Sequence, residues 1–296
     1  EVETPIIQPV YGGANAEPFT TYIEDKDMEA YLRIAPELYL KRLIIGGFDK
    51  VFEIGKNFRN ESIDTTHNPE YTAMELYQAY ADYEDMMEIT EEMIEHIAEE
   101  VTGSSTIDYQ GEGIDLSAPW ERMTMIEAIQ EYGDFDVTSM DDEELKQKME
   151  EVGAELDSSY ERGLAIAEIF EEVAEENLIQ PIHIIDHPEE TTPLCMEHRE
   201  KEGLIERFES FIAGMEVSNA YTELRDPVKQ RELFEKEEQR QDEGDDEAHP
   251  IDMDFVNALE LGMPPTGGLG IGMDRIVMLM TDQESIRDVL LFPMMK

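Results

Sequence analysis

Two stretches of the chain concentrate residue types that can handle a nucleotide. The first runs Phe52-Glu53-Ile54-Gly55-Lys56-Asn57-Phe58-Arg59-Asn60-Glu61 and resumes at His67-Asn68-Pro69-Glu70-Tyr71. Arg59, at the end of an apolar run, offers a planar, permanently charged fork that matches a phosphate or a carboxylate. Tyr71, on the far side of a polar loop, offers a ring face to a base. Taken alone, an arginine beside a glutamate more often forms a surface pair of little energetic value. The second stretch is Gly267-Gly268-Leu269-Gly270-Ile271-Gly272-Met273-Asp274-Arg275. Glycines at alternate strand positions leave one face without side chains, so that a flat ligand can lie on the backbone. Arg275 then opens a helix at the edge of that floor. The spacing fits neither the dinucleotide fingerprint nor a phosphate-binding loop of the G-x-x-x-x-G-K-[ST] kind.

The elements that must carry these residues can be read from pattern. Val51–Phe58 and Tyr71–Tyr80 read as two strands of a hairpin joined by the polar loop 59–69. Pro36 stands where a helix opening tolerates proline, ahead of Glu37–Ile45 and the stop Gly46-Gly47. Asp82 caps a long acidic helix that ends before Gly103. Asp141–Val152 and Tyr160–Asn177 are helical and are expected to form an insertion over 141–180. A strand follows at Pro181–Ile185, then two more at Arg207–Gly214 and Met215–Glu223. Pro227–Gln241 is a charged helix and Gln241–Glu247 an acidic loop. Asp254–Leu261 is a short helix, and strand Gly267–Gly272 runs into helix Asp274–Met280. Strands in hairpin-joined runs predict an α+β fold, an antiparallel sheet with helices packed around it.

Composition narrows the setting. The chain has 296 residues, with 22 Lys and Arg against 72 Asp and Glu, a formal charge of −50. Hydrophobic residues make up 41%, enough for a large core despite that charge. No window reads as a membrane span and the amino end does not read as a signal peptide. The chain opens at Glu1 in what reads as the middle of a strand, so a piece of a longer protein is expected. A single cysteine, Cys195, excludes an internal disulfide and a multi-cysteine zinc site. A reducing, cytoplasmic location is the expectation. The acidic surface repels polyanions at low salt and suits concentrated salt, where screening acts within about 3 Å.

These two stretches resemble motifs 2 and 3 of the class II aminoacyl-tRNA synthetases. The closing proline of Glu1–Pro5 resembles the end of motif 1. Within the class, Thr66-His67-Asn68-Pro69-Glu70-Tyr71-Thr72, Glu75-Leu76-Tyr77 and Ala79-Tyr80-Ala81-Asp82-Tyr83 are similar to the lysyl-tRNA synthetases in particular. So are Gly12-Gly13-Ala14, Ala35-Pro36-Glu37-Leu38, Asn219-Ala220-Tyr221-Thr222-Glu223-Leu224 and Leu290-Leu291-Phe292-Pro293. The resemblance runs over residues 1–296 and is weakest over 104–180.

The resemblance implies activation of lysine by ATP and transfer to tRNA(Lys). It places Arg59 at the ATP α-phosphate and the lysine carboxylate, and Arg275 at the γ-phosphate, as the catalytic pair. It places Glu61, His67 and Asn68 around the phosphates and adenine, Tyr71 under adenine, and Gly270 and Gly272 in the nucleotide floor. Glu209 and Glu216 correspond to the acidic pair that holds Mg2+, a hard ion suited to oxygen donors; by themselves they would read as solvated strand residues. Gly13 and Glu37 correspond to contacts with the substrate α-amino group, and Glu75, Tyr77, Asn219, Tyr221 and Glu223 to the amino-acid pocket. The alternation Glu75, Tyr77, Ala79 puts the first two on one strand face. With no Lys or Arg among Glu75, Tyr77 and Glu223, that pocket suits an ammonium side chain.

Ser62 stands where the family often has glycine, and Cys195-Met196 where it has a small residue and then a basic one. The family's anticodon-reading OB-fold and motif 1 helix, which builds its homodimer, match no residues here. Two other activities share these motifs: a related lysyl ligase acting on a translation-factor protein, and a synthetase-like protein that only binds a partner. The Gly12-Gly13-Ala14 turn and Asn219–Leu224 favour the tRNA ligase over the first. Arg59, Arg275, Glu209 and Glu216 argue against the second.

Overall fold

The computed structural model describes residues 1–14, 16–60, 63–156, 159–243 and 250–294, with the backbone alone over 241–243. The chain divides into two compact units, Glu1–Asp82 with Glu223–Lys296, and Tyr83–Thr222.

In the first unit, strands Lys50–Phe58, Glu70–Ala79 and Thr266–Gly272 lie side by side and antiparallel. The hairpin register pairs Lys50 with Gln78 and Phe58 with Glu70, so the loop between them starts at Arg59 as expected. Along Lys50–Phe58 exposure alternates: Val51 and Glu53 are buried whereas Phe52 and Ile54 face outward. Helix Glu37–Ile45 starts one residue after Pro36, which sits at its N-cap and supplies no N–H that the helix would need. Three short strands, Ile7–Gln8, Thr20–Ile23 and Met28–Leu32, form a small sheet that pattern reading did not find. They are too short, and too exposed at Thr20–Ile23, to show a period-2 pattern. Buried Arg33 follows this sheet. It donates to the Lys56 carbonyl (2.9 Å) and pairs with Glu53 (2.5 Å), which fastens the small sheet to the hairpin.

In the second unit, strands Met215–Thr222, Leu204–Ile212, Ile182–Pro188 and Glu121–Thr124 lie in that order. All pairings are antiparallel except the last, where Glu121–Thr124 runs parallel to Ile182–Ile185. That departure from a purely antiparallel sheet involves a strand of four residues, which carries almost no pattern. The acidic helix is confirmed at Tyr83–Thr102. Helices Asp142–Val152 and Arg162–Val173, with the short turn Glu175–Asn177, match the expected pair closely. Asp141 caps the first of them, accepting from the Glu143 and Glu144 amides. Both bury an apolar stripe, including Leu145, Met149, Ile169 and Phe170, against Ile182, Ile184 and Phe211 of the sheet. Hairpin Thr106–Asp115 and helix Met125–Gly133 occupy a stretch for which the pattern predicts no element.

In each unit the strands pair mainly antiparallel and helices flank them, the α+β arrangement expected. The charged helix spans Pro227–Glu243, so the acidic segment Gln241–Glu247 begins inside it; residues 244–247 lie outside the described residues. Among the described residues no helix is long and apolar enough to cross a membrane.

Candidate active site

The hairpin delivers the expected arginine and aromatic to one place. The Arg59 guanidinium carbon lies 5.3 Å from the centre of the Tyr71 ring. The Arg59 amide donates to the Pro69 carbonyl (3.0 Å), closing the loop at its base. Inside the loop Asp64 accepts from the Thr66 and His67 amides (2.7 Å each) and faces the His67 ring (Nδ1 to Oδ2, 2.8 Å). Burial works against the Asp64 charge, but these donors outweigh it and hold the carboxyl at about 2. The other ring nitrogen of His67 lies 3.2 Å from the Arg275 guanidinium. Arg has no lone pair to offer, so Nε2 accepts and the proton sits on Nδ1, facing Asp64. Asp64, His67 and Arg275 thus form a line that joins the loop to the start of helix Met273–Thr281. Asn68 turns inward on its own loop, donating to the Glu70 carbonyl (2.7 Å). Glu61 and Ser62, expected on this loop, lie outside the described residues.

A second group of expected residues gathers around a buried charge. Glu75 and Tyr77 share a strand face, and the Tyr77 hydroxyl donates to Glu75 Oε2 (3.0 Å). Gly268 and Gly270 pair with Tyr77 and Glu75 on the neighbouring strand. Gly268 is glycine for a visible reason: a Cβ there would fall 1.9 Å from Glu223 Oε1 and 2.6 Å from the Tyr77 ring. Gly13 has φ +93°, and a Cβ on it would lie 3.1 Å from the Glu37 Cβ. Glu37, Glu75 and Glu223 are 4%, 8% and 1% exposed.

The unforeseen member is Lys41, which is fully buried. Its ammonium pairs with Glu37 (2.5 Å) and also with Glu223. The centre of the Phe255 ring lies 5.9 Å from it. Burial would strip the Lys41 charge, but Glu223 and Glu37 more than compensate and push its pKa up. Burial and the Glu37 charge push the Glu75 carboxyl up to about 8, against the opposing pull of Tyr77, Arg33 and Lys41. Glu223 is pushed up by burial and pulled back chiefly by Lys41. Glu75 therefore keeps its proton near neutrality. A signal for Lys41 was present in the sequence. Glu37 and Lys41 stand four apart on the helix, a spacing that pairs opposite charges.

The second unit holds the remaining expected residues. Arg207, Glu209, Asn219 and Tyr221 lie on paired positions of one hairpin. Arg207 pairs with Glu209 (2.5 Å) and donates to Asn219 Oδ1 (3.2 Å), and Asn219 donates to Glu209 (3.3 Å). Glu216 pairs with Phe211, just past a register shift between Ser210 and Phe211. Glu171 of helix Arg162–Val173 feels this group. Its carboxyl is raised to about 8 by desolvation and then by Glu168, Glu209, Glu175 and Glu216. Surplus negative charge on oxygen donors is what a hard divalent cation relieves, so the residues fit Mg2+. Among the described residues no group of three or more His, Cys, Asp or Glu side chains is arranged to cage a metal ion. A Mg2+ here would draw most of its ligands from water or phosphate, as that ion commonly does. Cys195 is buried, with its thiol on the Met196 carbonyl.

An arginine–aromatic clamp on a motif 2 hairpin, a glycine strand running into a motif 3 arginine and a buried acidic pocket define a class II synthetase catalytic fold. The chain belongs to the tRNA synthetases class II (D, K and N), a family whose model matches residues 1–296. Among its relatives, the lysine–tRNA ligase of Methanoculleus marisnigri is 55% identical over 297 residues, covering 100% of this chain and 58% of the relative. The lysine–tRNA ligase of Clostridium novyi is 54% identical over 301 residues, covering 100% of this chain and 59% of the relative. That of Saccharolobus solfataricus is 56% identical over 295 residues, covering 99% and 60%. The chain thus spans between 58% and 60% of the length of these curated relatives.

Proposed function

We propose that this chain is the catalytic part of a lysine–tRNA ligase. The observation that carries the choice of lysine, within a family that also handles aspartate and asparagine, is the charge of the pocket. Glu37, Glu75 and Glu223 surround it, while Lys41, the cation seated among them, is already paired with two of them. An aspartate side chain would add a fourth carboxylate to this group, whereas an ammonium supplies the missing countercharge. The identity of the relatives supports the same reading.

In the reaction the lysine carboxylate attacks the α-phosphorus of ATP, giving lysyl-adenylate and pyrophosphate. A terminal hydroxyl of tRNA(Lys) then attacks the acyl carbon, giving lysyl-tRNA and AMP. In-line displacement at phosphorus asks the protein for position and charge neutralisation more than for covalent help. Arg59 is assigned to the α-phosphate and the substrate carboxylate, where its fork neutralises oxygens of both reactants. Tyr71 stacks on adenine, which lies toward the floor of Gly270 and Gly272. Arg275, held by His67, takes the γ-phosphate, with Glu61 and Asn68 around the triphosphate. Glu37 and Gly13 receive the α-amino group; Glu75, Tyr77 and Glu223 receive the ε-ammonium, with Asn219 and Tyr221 completing the amino-acid contacts. Glu209 and Glu216 would hold Mg2+, which when bound neutralises phosphate oxygen charge. The setting we propose is cytoplasmic, with a homodimer in the full-length protein and residues 141–180 as a helical insertion in the catalytic domain.

The test is ATP–pyrophosphate exchange with lysine, aspartate and asparagine, followed by charging of tRNA(Lys). Exchange driven by lysine alone supports the reading, and exchange driven by aspartate overturns it. Acylation of a translation-factor protein in place of tRNA would move the assignment to the related lysyl ligase.

A further inference from the structure

Lys41 has no role in the reaction as described above, and its position is costly. An ammonium with 0% exposure has given up all of its water. Helices rarely bury lysine without a partner, and here the partners are two of the carboxylates assigned to the substrate, Glu37 and Glu223. These two come from different elements. Glu37 opens helix Glu37–Ile45, whereas Glu223 follows strand Met215–Thr222 and is tied by its amide to the Thr266 carbonyl (2.8 Å). The Lys41 side chain links their carboxyl groups. Its Nζ also lies 5.9 Å from the centre of the Phe255 ring. The charged and titratable groups around this seat are Glu37, Glu223, Glu75, Tyr77 and Arg33.

We propose that Lys41 is a positioning residue for amino-acid selection: its ammonium clamps Glu37 to Glu223 and balances part of their charge, so that the pocket receives one further ammonium. The proposal rests on the lysine reading and says how the pocket is set to accept a single ε-ammonium. Without Lys41, Glu37 and Glu223 would repel each other, and the pocket would take up extra protons to stay buried. Both changes weaken the seat of lysine. ATP, which meets Arg59, Tyr71 and Arg275, would be little affected.

The experiment is lysine-dependent pyrophosphate exchange with the unaltered protein and with Lys41→Met, which keeps the length of the side chain and removes its charge. Thermal melting checks the fold of each. Wild type that shows no lysine-dependent exchange refutes the lysine reading itself. With wild type active, the expected result is a lysine KM raised at least tenfold in Lys41→Met and an ATP KM within twofold. A folded Lys41→Met protein with an unchanged lysine KM, or with both KM values raised alike, overturns the proposal. A second measurement needs no variant and decides the matter if Lys41→Met does not fold. Lysine binding to wild type is followed by calorimetry at neutral pH in two buffers of different ionisation enthalpy. With Lys41 holding Glu37 and Glu223, the proton an incoming ammonium displaces is that of Glu75, about one per lysine bound. Release of none, or of two or more, would show that Lys41 does not set the charge of the pocket.

Discussion

Replacing Gly268 by alanine tests whether the glycine strand shapes the amino-acid pocket. A Cβ at 268 would lie 1.9 Å from Glu223 Oε1 and 2.6 and 2.9 Å from two atoms of the Tyr77 ring. Ordinary contact begins near 3.4 Å, so the carboxylate oxygen must retreat by about 1.5 Å (3.4 − 1.9) or the strand must back away. Glu223 has little room to retreat, being 1% exposed and locked to Lys41. Overpacking of this kind costs about 1–3 kcal/mol of stability. A shift of about 1 Å in a group that places substrate costs on the order of a hundredfold in rate. Gly268→Ala should therefore lose about a hundredfold in lysine kcat/KM, with an ATP KM within about twofold of wild type. Gly272→Ala serves as the stability control, because the nearest atom to its Cβ would be the Arg275 Cδ at 3.6 Å. Its melting temperature should stay close to wild type. Pyrophosphate exchange across a lysine series, with melting curves for both variants, makes the comparison. A Gly268→Ala protein that melts like wild type and keeps its lysine KM would refute the placement of Glu223 and Tyr77 over that backbone.

Three further outcomes are expected. Arg59→Ala should lower pyrophosphate exchange by a hundredfold or so while leaving the fold intact, and Arg59→Lys should rescue poorly for want of the planar fork; near-normal exchange in Arg59→Ala would remove Arg59 from the mechanism. Glu75 titrates near 8 in the fold against an ordinary 4.5, so the folded chain holds a proton that the unfolded chain has lost between those values. Its contribution to stability is full below the ordinary value and is lost as pH rises toward 8, at about 1.4 kcal/mol per unit. Melting curves should thus fall more steeply with pH for wild type than for Glu75→Gln, and saturating lysine should flatten the wild-type curve; parallel curves would contradict the shift. Finally, with a net charge of −50 the melting temperature should rise as monovalent salt approaches about 1 M. A flat or falling midpoint would show that the acidic residues sit too far apart to repel.

Much of this molecule was written locally. The hairpin Lys50–Ala79, the helix after Pro36 and the glycine strand running into Arg275 follow from period, caps and turn chemistry, which act over a few residues. Their expected ends agree with the structure to within a residue or two at most elements. Arg59 and Tyr71 sit at the two ends of one loop, so chain order alone brought them together. The short strands within 104–124 and the first small sheet were not legible, because strands of two to five residues hold too few side chains to display a period. The same holds for the parallel pairing of Glu121–Thr124, which depends on a partner about 60 residues away. The charge of the pocket belongs to the tertiary structure. In sequence Glu75, Tyr77 and Glu223 read as an acidic set without a cation, yet the fold carries Lys41 in among them. Helical spacing could pair Lys41 with Glu37, but not with a glutamate 182 positions on (223 − 41). Nor could the sequence say that Gly268 is small because Glu223 and Tyr77 lie over it. Local pattern sets which residues share a face; burial, which strips water and makes each charge depend on its neighbours, is decided only when distant segments meet.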